Sequence, residues 1–170
     1  MAMSFLKVLS LVSIVVMALL HSSFDVTSLS VNEEVEALLN WKATLQNETH
    51  PPLPLWTLPN YATNSSNNQN TSSIPCSWFG ISCNQAGSVI GLNLTNSSLK
   101  GTLHGFSFSS LPNLAILDLS MNGLFGTVPI EISNLSKLTL LDLSFNKLLG
   151  EIPSQIGLLT NLEDLHLGEN

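Results

Sequence analysis

Two aspartates 24 residues apart, Asp118 and Asp142, are each followed two positions later by a serine, Ser120 and Ser144. Paired carboxylates can share a proton or flank a glycosidic bond, and a serine can attack a carbonyl when a base stands beside it. Strands stacked ~4.8 Å apart would bring the two acids together. The remainder of a catalytic constellation is not written, however. Neither serine lies in a G-x-S-x-G turn, there is no glycine-rich phosphate loop, and no oriented base or set of oxyanion donors accompanies the acids. The acids therefore read as a solvated column, and no catalytic residue is expected. His166 falls beneath Asp142 in the same column and offers a pH-sensitive contact or an ordinary surface imidazole.

Cys76 and Cys83 stand inside PCSWFGISC. In an oxidising compartment a local disulfide is the simplest reading; two free thiols or half a metal site are the alternatives. A metal would need further ligands, and beyond the leader described below only His50, His104 and His166 are on offer, none near the pair. No metal and no cofactor is expected.

What positions the acids is a repeat. LDLSMNGLFGTVP (Leu117 to Pro129) and LDLSFNKLLGEIP (Leu141 to Pro153) are nearly one text written twice. Leu114, Leu138 and Leu162 are 24 apart, as are Leu117, Leu141 and Leu165, then Leu119, Leu143 and Leu167, and Asn122, Asn146 and Asn170. An earlier copy, Val89, Leu92, Leu94, Leu99 and Gly101, fits with one inserted residue and Ser97 at the asparagine position. L-x-x-L-x-L-x-x-N at this period is the signature of a leucine-rich repeat solenoid. Side chains alternate along a strand, so Leu117 and Leu119 point one way and Ile116, Asp118 and Ser120 the other. One coil cannot shield its leucines, whereas stacked coils pair their strands in parallel and merge the leucines into a core. Asn122, Asn146 and Asn170 form a structural ladder, each amide able to donate and accept where the chain leaves its strand. Gly126 and Gly150 permit tight bends, and Pro129 and Pro153 suit an extended return. The coils run 89–113, 114–137 and 138–161, with a truncated fourth at 162–170. A stack this short, open at its last strand, is expected to be marginal or to self-associate.

Before the repeats lie three different stretches. Lys7, the apolar run Val8 to Leu20 and the small polar residues after it read as a secretory signal peptide over residues 1–28, cut between Ser22 and Ser28; thirteen apolar residues fall short of the ~20 that span a bilayer. Val35, Leu38, Leu39, Lys42 and Leu45 recur at helical spacing and predict a helix over about 32–46, capped by Ser30 or Asn32 with Glu33, Glu34 and Glu36 in its first turn. Prolines at 51, 52, 54 and 59 end it, and residues 60–73 read as a mobile loop. The leader, the cap region 29–88 and the repeats 89–170 are the expected domains.

The net charge is −7 and there is no arginine, so nothing here would neutralise nucleic-acid phosphates. Six Asn-X-Ser/Thr sequons, at Asn47, Asn64, Asn70, Asn93, Asn96 and Asn134, are candidate N-glycosylation sites in a secreted chain.

Residues 30–170 resemble the extracellular domains of plant leucine-rich repeat receptor-like kinases and receptor-like proteins. The likeness is carried by EEVEALLNWKATL, by PCSWFGISC, and by the repeat endings GTVP and GEIP, in that order. It implies an α/β leucine-rich-repeat solenoid with a parallel sheet on its concave face, extended and 3-10 segments on the convex side, and an N-terminal helical cap bonded by Cys76–Cys83. It also implies a non-enzymatic recognition module whose partner is a peptide ligand or another leucine-rich-repeat ectodomain acting as co-receptor, at the cell surface or in the apoplast. Longer members carry a membrane span and a cytoplasmic kinase, neither of which is in this sequence. A secreted inhibitor resembling the polygalacturonase-inhibiting leucine-rich repeat proteins, or a truncated product without a role of its own, are the alternatives. His104 at a proline position and Ser97 at the asparagine position predict an irregular first coil. The outward positions that would meet a partner are Gly91, Asn93 and Thr95, then Ile116, Asp118 and Ser120, then Leu140, Asp142 and Ser144, then Asp164, His166 and Gly168.

Overall fold

The computed structural model describes residues 26–46, 53–58 and 75–170, and the side chains of 26–32 are not among those described. The leader up to residue 25, the loop expected at 60–73 and the sequons Asn47, Asn64 and Asn70 lie outside the described residues.

Helix α1 spans Val26–Thr44, beginning six residues before its expected start. Ser30 and Asn32 are inside the helix rather than capping it, and no acid occupies the first turn. A Ser or Asn side chain caps only where the preceding backbone leaves the helix, and here it does not. The three glutamates instead fall mid-helix, and Glu34 turns inward.

Two sheets form among the described residues. β1 (Ile81–Cys83), β2 (Val89–Asn93), β4 (Ile116–Asp118), β6 (Leu140–Asp142) and β8 (Asp164–His166) make the first, in the order β1-β2-β4-β6-β8. β1 is antiparallel to β2; every later pairing is parallel, with residues 24 apart aligned from β4 onward, as in Leu117↔Leu141↔Leu165. The second sheet, β3 (Lys100–Gly101), β5 (Gly123–Gly126) and β7 (Lys147–Leu148), was not expected. It arises because each chain, after its asparagine, runs extended beside the same segment of the next coil. Gly126 and Gly150 then bend it with φ of 83° and 84°, which a side chain disfavours. Pro129 and Pro153 precede the 3-10 turns Ile130–Asn134 and Ser154–Leu158 on the return.

The leucines form one core. Leu92, Leu94, Leu117, Leu119, Leu141 and Leu143 are fully buried, each withdrawal from water stabilising the stack by about 1.5–3 kcal/mol. The cap closes the first coil with aromatic residues. Trp41, which the helical spacing did not single out, is fully buried, packs edge-on against Phe106 with centroids 5.0 Å apart, and donates its indole N–H to Thr102 O at 3.1 Å. Trp56 stacks on Trp78 at 5.3 Å and donates to Phe79 O. Cys76 and Cys83 form a disulfide, which pins the loop carrying Trp78 to β1.

Candidate functional site

The parallel pairing brings the outward side chains into columns. Ile116, Leu140 and Asp164 align across β4, β6 and β8, and so do Asp118, Asp142 and His166. Ile116 is exposed and Leu140 half-buried, and Asp164 and His166 are exposed. In the first coil Asn93 aligns with Asp118 and donates its amide N–H to Asp118 Oδ2 at 3.2 Å. Gly91 is buried, because Ser82 of the antiparallel β1 lies over it; a Cβ there would collide with Ser82 Oγ. Of the first coil's outward positions, the exposed Asn93 and the half-buried Thr95 remain open.

Ser120 and Ser144 do not face a partner, although alternation places them outward. They are 6% and 9% exposed. Each donates its backbone N–H and its hydroxyl to one oxygen of the aspartate two residues before: Ser120 to Asp118 Oδ1 at 3.1 and 2.7 Å, Ser144 to Asp142 Oδ1 at 2.9 and 2.6 Å. The D-x-S pairs are local turn locks, in which a short carboxylate satisfies the amide two residues on. This occupation of Oδ1 and of both hydroxyls is structural, and among the described residues no imidazole hydrogen-bonds either serine. Of the second oxygens, Asp118 Oδ2 accepts from Asn93, and among the described residues nothing hydrogen-bonds Asp142 Oδ2.

The asparagines are found where expected. Asn122 Oδ1 accepts from Ser97 N and Leu99 N, and its amide donates to Leu94 O, Leu119 O and Ser120 O. Asn146 accepts from Leu124 N and donates to Leu119 O, Leu143 O and Ser144 O; Asn170 repeats this with Leu148 N, Leu143 O, Leu167 O and Gly168 O. Each asparagine thus serves its own coil and the one before.

Glu34 was read as a first-turn acid and is instead 2% exposed. Its carboxylate accepts from Ser88 Oγ at 2.5 Å and from Val89 N at 3.0 Å, holding α1 to the start of β2. Burial pushes its carboxyl above the ordinary 4.5, opposed by those two hydrogen bonds. From Ser88 the contacts continue outward, Asn113 Nδ2 donating to Ser88 Oγ and Lys137 Nζ to Asn113 Oδ1. Only the pairing of a buried acid with one strand amide 55 residues away, and with the hydroxyl before it, reveals this, and no local pattern signals it.

Of the sequons within the described residues, Asn93, Asn96 and Asn134 are all exposed, Asn96 with φ of 51°. A hollow of ≈ 90 Å³ lined by Val128, Leu148, Ile152 and Leu167 lies away from the sheet face. Among the described residues no group of three or more His, Cys, Asp or Glu could hold a metal, and no helix is long and apolar enough to cross a membrane.

A helical, disulfide-closed cap on a stack of parallel coils, with a bare strand face, defines a recognition scaffold rather than a reaction centre. Residues 31–84 match the family described as leucine rich repeat N-terminal domain, and residues 89–148 the leucine rich repeat family. The chain belongs to the leucine-rich repeat proteins, in the form found in the extracellular part of plant receptor-like kinases. MDIS1-interacting receptor like kinase 2 of Arabidopsis thaliana is 46% identical to it over 124 residues, 72% of this chain and 10% of that relative. The crystal structure of PEPR1-AtPEP1 is similar with a TM-score of 0.66 and 34% identity, covering 81% of this chain and 18% of that one. The BIR3 - SERK2 complex from Arabidopsis thaliana is similar with a TM-score of 0.65 and 34% identity, covering 81% and 69%. The chain spans about a tenth of the length of the curated relatives it matches.

Proposed function

We propose that this chain is the non-enzymatic, peptide- or ectodomain-binding N-terminal part of a plant cell-surface receptor, and that its partner docks on the outward columns of β4, β6 and β8. One observation carries this reading. Ile116, Leu140, Asp118, Asp142, Asp164 and His166 are held in register by a rigid leucine core yet contribute little to that core. Positions that vary without disturbing packing, on a scaffold that holds them in fixed register, are where specificity is written. The solved PEPR1-AtPEP1 and BIR3 - SERK2 structures support both kinds of partner by likeness. The reading includes a secretory leader through residue 28, whose removal leaves α1 from position 29, and an extracellular or apoplastic location. Glycans at Asn93 and Asn96 would shield the first coil and direct a partner to the later ones.

The test is binding of the secreted chain to immobilised secreted-peptide pools and receptor ectodomains by surface plasmon resonance. Ile116→Ala and Leu140→Ala should weaken capture at least tenfold with unchanged melting temperature, while Leu158→Ala in the 3-10 turn should not. Capture indifferent to the sheet-face substitutions would overturn the reading.

A further inference from the structure

In the turn after each strand, one residue before the ladder position, the backbone is left-handed. The φ angles are 51° at Asn96, 55° at Met121, 53° at Phe145 and 56° at Glu169. Asparagine or glycine suits that conformation, whereas a bulky apolar residue is strained there. Met121 and Phe145 are also 53% and 56% exposed, so little burial offsets that strain. Neither exposure arises at an edge of the stack. Met121 N donates to Ser144 O in the next coil, and Phe145 N donates to Gly168 O in the one after. Two central coils therefore carry a strained, wet apolar side chain where the coils on either side carry polar ones.

On the strand side of these turns the chemistry is anionic, while the exposed Lys147 follows Phe145 by two residues on the other side. Asp118 and Asp142 each lie three residues before these apolar positions. Asp142 Oδ1 takes both donors of Ser144, and among the described residues nothing hydrogen-bonds its Oδ2. Asp118 Oδ2 is held by Asn93, and Asp164 stands exposed on β8. The outward positions of β2, β4, β6 and β8 include no lysine or arginine to balance them. Two coils span about 10 Å, the length of roughly three residues of extended chain.

We propose that Met121, Phe145 and Asp142 form a docking strip for an extended peptide carrying a lysine or arginine close to an aliphatic or aromatic residue. The apolar side chain seats on the Met121–Phe145 pair and the cation pairs with Asp142 Oδ2, which supplies the charge complement the strip lacks. This rests on the sheet-face reading above and names the partner's chemistry.

The experiment pans the full chain against a phage-displayed library of random linear peptides, then measures synthetic hits against variants. Enriched peptides should carry a cation near an apolar residue. Met121→Asn, Phe145→Asn and Asp142→Asn should each weaken binding about tenfold or more, with the melting temperature of the two apolar variants kept or raised, since asparagine relieves the left-handed strain. Hits without a cation, or hits indifferent to these variants yet sensitive to Ile116→Ala, would overturn the strip while leaving the sheet-face reading standing. A lowered melting temperature for Phe145→Asn would show a packing role and overturn it too. No enrichment at all would sink both.

Discussion

The first coil and the two behind it solve one problem by different means. A coil that turns away from its strand leaves amides and carbonyls partly buried, and each such group costs about 1–3 kcal/mol if unpaired. In the central coils the solution is local and repeated: Asn122 and Asn146 each reach their own coil and the preceding one with a neutral amide that donates and accepts. At the start of the stack there is no preceding coil. Its place is taken by β1, paired antiparallel, and by a carboxylate from α1, which only accepts: Glu34 receives Val89 N and Ser88 Oγ. This also explains Ser97. With no earlier coil to reach, the ladder position of the first coil has only its own coil to serve, and Ser97 Oγ does so by donating to Thr95 O at 3.4 Å. At this turn Asn96 keeps the left-handed φ of its counterparts Met121 and Phe145, and the irregularity is confined to Ser98, whose positive φ Gly123 and Lys147 do not share.

The comparison can be broken most sharply at Asn122, where the two regimes meet. Asn122→Ala removes five hydrogen bonds to backbone groups and should cost about 3 kcal/mol in urea unfolding. A loss under 1 kcal/mol would mean that water replaces the amide freely. Glu34→Ala comes next, at about 2 kcal/mol, because it strands Val89 N and Ser88 Oγ. Its damage should be local, seen as faster amide exchange at Val89 and altered fluorescence from Trp41, while Leu141 and Leu143 stay protected.

Smaller still is a pH effect. Burial raises the Glu34 carboxyl in the folded chain above its ordinary 4.5, so the folded state binds the proton more tightly. The stability this confers is fully present below about pH 4.5 and is lost as pH rises through the raised native value. Wild type should therefore lose stability relative to Glu34→Gln as pH rises from 4 through that value, and a flat difference would contradict burial as the dominant cause. The smallest effect is expected from Ser97→Asn, within about 0.5 kcal/mol of wild type, because no earlier coil awaits its amide. A gain of 2 kcal/mol or more would show that the cap leaves groups unpaired after all.

The comparison also marks how far the residues could be read in advance. The leucine positions, the register of 24, the roles of Asn122, Asn146 and Asn170, the bends at Gly126 and Gly150 and the column of Asp118, Asp142 and His166 were all legible. So was the pairing of Cys76 with Cys83, through the motif's likeness to a known cap. The start of α1, the inward turn of Glu34, the burial of Trp41, Ser120 and Ser144, the closure of Gly91 by Ser82 and the second sheet were not.

The sequence by itself determined the stack, because a coil's instructions are short-range and repeated: inward leucines two apart, an asparagine three past the last, and a period that aligns each copy with the next. Only the tertiary structure decided how the stack begins and which outward positions remain free. Glu34 meets Val89 across 55 residues, Trp41 meets Thr102 across 61, and Ser82 covers Gly91 through one antiparallel pairing that no period announces. A contact made once, between segments far apart in the chain, leaves no repeated mark in the residues that make it.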